Sequence, residues 1–137
     1  MSVPKVREKM TPAPRTIGVD LSISTAKELM RRDSIRHLPV LEAGRLVGIL
    51  SDRDVRSADS FRGPGELLVG EAMTPDPYVI TEDTPLDDVL FTMAKHKYGC
   101  ALVQNPDSKI VVGIFTDTDA LFMLAGLLRE SSLKVAA

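Results

Sequence analysis

The chain repeats itself, and this restricts its folding more than any other feature. "MTPAPRTIGVD" from Met10 returns as "MTPDPYVITED" from Met73, an offset of 63 residues. The same offset pairs Pro14 with Pro77, Ile17 with Ile80, Asp20 with Asp83 and Met30 with Met93. Beyond Val40 and Val103 the second copy gains two residues in its turn, "NPDSK" against "EAG". The register then resumes, and "VGILSDRDV" at 47–55 matches "VGIFTDTDA" at 112–120. In a chain of 137 residues neither copy can close a core alone, so the two are expected to pack together about a pseudo-twofold axis. The pattern predicts a first copy over 1–57, a connection over 58–67 with Gly63, Pro64 and Gly65, a second copy over 68–131, and a tail over 132–137.

Each copy reads helix–strand–helix–strand–strand–helix, an α+β pattern. A short helix is expected to end at each Met-Thr-Pro, because proline drives the residue before it out of helical geometry. A brief strand follows near Thr16–Ile17 and Val79–Ile80. An amphipathic helix comes next, with Ile23, Ala26 and Met30 on one stripe and Leu86, Val89, Leu90 and Met93 on its counterpart. "TPLD" at 84–87 reads as a helix start: Thr84 as the capping hydroxyl, Pro85 in the first turn, Asp87 beyond it. Two strands follow, "HLPVL" and "LVGIL" joined at Gly44, then "CALVQ" and "VVGIF" in the second copy. The last helix of each copy starts at Ser51 or Thr116. The final one is apolar on every face from Ala120 to Leu128, and burying it calls for a surface beyond the repeats. One reading is a central helix buried between the repeats; the other is that it also forms a homodimer interface.

Composition excludes several classes. Aromatics are 4% and Trp is absent, so the core must be aliphatic. A net charge of −2 argues against a nucleic-acid surface built on bulk basicity. Cys100 stands alone, so no internal disulfide can form, and "MSVPKVREKM" has no apolar core. The longest apolar run, "ALFMLAGLL" at 120–128, is too short to span a bilayer. These features predict a cytoplasmic chain without a membrane segment. One Cys and two His cannot close a structural zinc site, and "SDRD" and "TDTD" lack the Gly and distant Glu of a calcium loop. Nothing orients His96 toward Cys100 as a catalytic pair should be oriented, and no enzyme is expected.

What remains is a polar constellation that occurs twice. Ser51 and Asp54 form Ser-x-x-Asp at a strand-to-helix junction, and Thr116 and Asp119 repeat it. One reading is a capping box, in which both side chains satisfy orphan N–H groups. The other is ligand chemistry: a carboxylate can accept both hydroxyls of a ribose, beside a helix start that favours an anion. Arg53 adjoins Asp54, and Arg36 and His37 open the strand before it. Three cationic side chains near one carboxylate suit phosphates, with His37 adding pH sensitivity.

These segments, "MTPAPRTI", "STAKELMRRDSIRHLPVLEAGRLVGILSDRDV" and their second-copy equivalents, resemble a pair of CBS domains, also called a Bateman module, over roughly residues 3–130. The first copy is also similar to the acetoin-utilisation regulatory type. The resemblance implies adenosine-containing ligands in clefts between repeats, and pairing of chains into a flat disc. It places ribose binding on Ser51, Asp54, Thr116 and Asp119, and phosphate contacts on Arg36 and His37. The apolar strands offer Ile17, Ile80, Val40 and Ile49 for the adenine. In the second copy Tyr98, Gly99 and Cys100 stand for Ile35, Arg36 and His37, and Thr118 stands for Arg53. Unequal sites are expected, the first dominant. The ligand candidates are AMP, ADP, ATP with or without magnesium, S-adenosylmethionine and NAD, with no cofactor required. The expected partners are the nucleotide, a second copy and an unidentified effector protein. The rival reading is a ligand-free dimerisation or scaffold module.

Overall fold

The computed structural model describes residues 2–60 and 66–136. The chain begins with a single 3-10 turn, Val6–Glu8, followed by β1 (Thr11–Pro12) and β2 (Ile17–Gly18). Next come α1 (Ile23–Asp33), β3 (His37–Glu42), β4 (Arg45–Ser51) and α2 (Asp52–Asp59). The second copy supplies α3 (Val69–Ala72), β5 (Thr74–Pro75), β6 (Val79–Ile80), α4 (Leu86–His96), β7 (Cys100–Gln104), β8 (Val111–Thr116) and α5 (Asp117–Ala136). The fold is α+β, as the repeat pattern predicts. The Gly63-Pro64-Gly65 turn of the connection lies outside the described residues. The segment read as a tail from 132 is helical through Ala136. Among the described residues no helix is long and apolar enough to cross a membrane.

Local chemistry explains the elements. Ser22 caps α1 by accepting the Thr25 N–H at 3.2 Å, and Ile23, Ala26 and Met30 form its buried stripe. Ala43 and Gly44 both have positive φ, at 50° and 77°, the backbone that closes a tight β3–β4 hairpin. The start of α4 differs from expectation. Its N-cap is Pro85, with no side-chain cap, and the Thr84 hydroxyl accepts the Thr81 N–H instead. The Leu86 N–H donates to the Pro4 carbonyl at 2.9 Å, so backbone from the chain's beginning does the capping.

That contact belongs to a reciprocal exchange. One sheet has the order β2-β3-β4-β5 and the other β1-β8-β7-β6. Thus the Thr-Pro of each copy completes the sheet of the other: Pro75 opposite Gly48, and Pro12 opposite Gly113. The Met-Thr-Pro segments are strands at sheet edges, where a strand tolerates proline; α3 runs up to Met73, whereas the first copy has only the 3-10 turn that ends at Glu8. Each segment brings a methionine onto the facing glycine. A Cβ at Gly48 would lie 2.5 Å from Met73 Sδ, and one at Gly113 would collide with Met10 Sδ. Val6 is accordingly buried in the second copy's core with Val89 and Phe115, and Val69 in the first's with Leu38 and Val40. Between the sheets, Leu46 and Ile49 meet Cys100, Leu102 and Ile114. This seam sets the two strand-to-helix turns beside the opposite copy.

Candidate functional site

Both Ser/Thr-x-x-Asp turns are reciprocal capping boxes. Ser51 N–H donates to Asp54 Oδ2 at 2.9 Å, and Asp54 N–H donates to Ser51 Oγ at 3.1 Å. In the second copy Thr116 N–H donates to Asp119 Oδ2 at 2.8 Å and Asp119 N–H to Thr116 Oγ1 at 3.2 Å. The structural role thus holds at both turns, and it does not consume the carboxylates. Each box uses one oxygen and leaves Oδ1 of Asp54 and of Asp119 without a bond among the described residues. The box also locks each side chain in place, as a preorganised site requires.

A cleft of about 520 Å³ lies at the first of these turns. From the first copy it is lined by Ser51, Arg53, Asp54, Arg36, His37 and Ile49. From the second copy come Thr74, Asp76, Tyr78, Tyr98 and Gly99. A second cleft of about 350 Å³ lies at Thr116 and Asp119, closed from the other side by Thr11, Ile35, Arg36 and His37. Each cleft therefore joins the carboxylate turn of one copy to the strand opening of the other. Both volumes fall within the range of small-molecule sites.

The structure brings Ser51, Asp54, Arg36, His37 and Arg53 together on one cleft, and Thr116 and Asp119 on the other. Neither Arg36 nor Arg53 forms an ion pair among the described residues, whereas Arg56 sits 3.6 Å from Asp52. The replacements in the second copy do not leave the second cleft without cations. Gly99 and Cys100 do replace Arg36 and His37 in sequence, but in space Arg36 and His37 border both clefts. The apolar candidates divide. Ile49 lines the first cleft, but Ile17 and Ile80 reach neither of the two. Ile17 pairs with Val40 in the parallel ladder and both pack beneath α1, and Ile80 packs beneath α4.

Burial pushes the His37 imidazole below its ordinary value, and Arg36 works in the same direction; Asp117, Asp52 and Asp54 oppose them. An ideal Cβ at Gly99 would lie 2.8 Å from His37 Nε2, so glycine there makes room for the ring. Burial and Asp117 push the Cys100 thiol up to about 12, which removes thiolate chemistry at neutral pH. His96 has no part in a pair with it; it stacks on Tyr98 with ring centroids 5.3 Å apart. Tyr98 in turn stacks on Tyr78 at 5.2 Å. No local pattern in the sequence marks this aromatic column at the first cleft. Its signal was Tyr98 standing for Ile35, visible only once the offset is treated as a spatial twofold.

Two interlocked α+β repeats with a cleft at each carboxylate turn define a tandem-repeat pair. The CBS domain model matches residues 6–60 and 69–126. The chain belongs to the CBS-domain family. Its structure is similar to that of AcuB from Vibrio cholerae, a protein assigned to acetoin utilization, with a TM-score of 0.80 and 32% identity over 96% of this chain and 97% of that one. It is similar to the CBS domain pair of protein MJ0100 in complex with 5′-methylthioadenosine and S-adenosyl-L-methionine (TM-score 0.82, 28% identity, 91% and 98% covered). It also resembles CBSX2 in complex with AMP (TM-score 0.76, 26% identity, 90% and 97% covered). Among curated relatives, L-aspartate semialdehyde sulfurtransferase of Methanocaldococcus jannaschii is 30% identical over 88% of this chain, which spans only 23% of that protein.

Proposed function

We propose that this CBS pair is a cytoplasmic regulatory module that takes an adenosine-bearing ligand into the clefts between its copies. It carries out no chemistry of its own and reports occupancy to an effector protein by repacking. One observation carries the reading: each carboxylate turn, already locked by its capping box, faces the opposite copy across a cleft of nucleotide size. Asp54 accepts the ribose hydroxyls in the first cleft and Asp119 in the second, with Ser51 and Thr116 beside them. Arg36, His37 and Arg53 hold phosphate, the guanidinium forks matching its oxygens. Ile49 and the Tyr78–Tyr98 stack supply the face for the base. The ligands named for MJ0100 and CBSX2 support the adenosine class.

The module pairs with a second copy through α5, whose Leu121, Phe122 and Leu128 are 67%, 75% and 62% exposed. Thermal melting with AMP, ADP, ATP with and without magnesium, S-adenosylmethionine and NAD tests the ligand reading. A ligand at a hundredfold its Kd should stabilise the fold by about 2.7 kcal/mol. Asp54→Asn should diminish the shift. A chain that dimerises but melts identically with every compound would be a scaffold, and the sensor reading would fall.

A further inference from the structure

We propose that Arg36 and His37 form one anion station shared by the two clefts, so that phosphate-bearing adenosine ligands in the two sites compete while uncharged ones do not. This rests on the adenosine reading above and adds its regulation and a charge preference.

The station is placed by the fold. Arg36 and His37 lie at the start of β3, at the junction of the two copies, and both residues line both clefts. Their counterparts across the pseudo-twofold are Gly99 and Cys100, which bring no cation. A symmetric pair would hold two stations; this chain holds one. Gly99 also lets the His37 ring occupy the meeting point, since any side chain there would run into Nε2. Arg36 is exposed and forms no ion pair among the described residues, so no protein carboxylate commits it to either side.

The clefts are unequal in what remains when the station is taken. The first keeps Arg53, Arg56 and Lys97 in its own wall, beside Asp52, Asp54, Asp76 and Asp117. In the second, Arg36 is the only fixed cation among the described lining residues, and Thr118 occupies the place of Arg53. A phosphate in the first cleft that engages Arg36 therefore leaves the second with Asp119 and no counter-charge. An adenosine with an uncharged 5′ group needs no such partner. Phosphorylated ligand thus fills the first cleft, and the second suits a ligand without phosphate.

Calorimetry on the full chain with AMP and adenosine tests this. AMP should bind in two events per chain, the second weaker by about ten- to a hundredfold, the value of lost charge-assisted hydrogen bonds. Asp119→Asn should weaken the second event and leave the first. Asp54→Asn, which disables the first cleft, should make AMP bind the second cleft about tenfold more tightly than it does as the second event in the unaltered chain, because Arg36 is free. Adenosine should show no such gain. Equal and independent AMP sites, no gain in Asp54→Asn, or the same coupling with adenosine would each overturn the shared station and leave the adenosine reading standing. Failure of every adenine ligand to bind would overturn that reading and the station with it.

Discussion

His37 is held neutral by its burial, and this has a sign that can be measured. Its folded pKa lies below that of the unfolded imidazole, near 6.5, so the unfolded chain binds the proton first. The associated stability is present above about pH 6.5 and is lost as pH falls below it. Melting temperatures between pH 7.5 and 5.5 should drop more for the unaltered chain than for His37→Gln. A bound phosphate favours the imidazolium, so nucleotide binding near pH 6.5 should take up protons. Calorimetry in buffers of different ionisation enthalpy reads that uptake directly. Asp54 also has two roles that substitutions can separate. Asp54→Ala removes the acceptor for the Ser51 N–H and should cost about 1 kcal/mol of stability as well as ligand binding. Asp54→Asn keeps an acceptor for the cap, so its melt without ligand should stay nearer the parent's. Gly48 is limited by its facing methionine. Gly48→Ala sets a methyl 2.5 Å from Met73 Sδ and 2.9 Å from the Thr74 carbonyl oxygen, an overpacking expected to cost about 1–3 kcal/mol in a thermal melt.

At the level of elements, the exchanged strands predict where damage will appear. Deleting residues 1–12 removes β1, the buried Val6 and the Pro4 carbonyl that caps α4. Hydrogen exchange should then show protection lost in β7 and β8, with β3 and β4 much less affected. The opposite pattern would contradict the pairing. The helices and longer strands were legible in sequence because they carry their own period: Ile23, Ala26 and Met30 on a helix, "HLPVL" and "LVGIL" about a turn. The exchange was not, because β1 and β8 lie about a hundred residues apart and two-residue strands have no period to read. The same distance hid the cap of α4, where Thr84 looked sufficient until Pro4 arrived from the other end of the fold. At the clefts, Ser51, Asp54, Thr116 and Asp119 were legible from local spacing. The sharing of Arg36 and His37 depends on how the copies face each other, which no local pattern encodes. Ile17 and Ile80 lie away from the two carboxylate clefts because an apolar residue at a strand pair can pack under the helix layer as readily as beside those turns.

The molecule as a whole leaves one large apolar surface to account for. Along α5, Leu121, Phe122, Leu124, Leu127 and Leu128 are exposed, and among the described residues nothing covers them. Leu124→Glu should convert a dimer to a monomer in analytical ultracentrifugation. Its effect on the melting of the isolated fold should be small, within about 0.5 kcal/mol, because a half-exposed side chain supports little intramolecular packing. Phe122 also lines the second cleft, so a dimer through α5 would lie beside that site. The crossing of the Met-Thr-Pro strands reaches furthest of all. Since each duplicated segment lends its first strand to the other, neither can be cut out as a free-standing part. Nicked between residues 61 and 65, the pieces should stay clasped together and run as one particle on a sizing column. A single segment made alone should go looking for a sister molecule to return the loan.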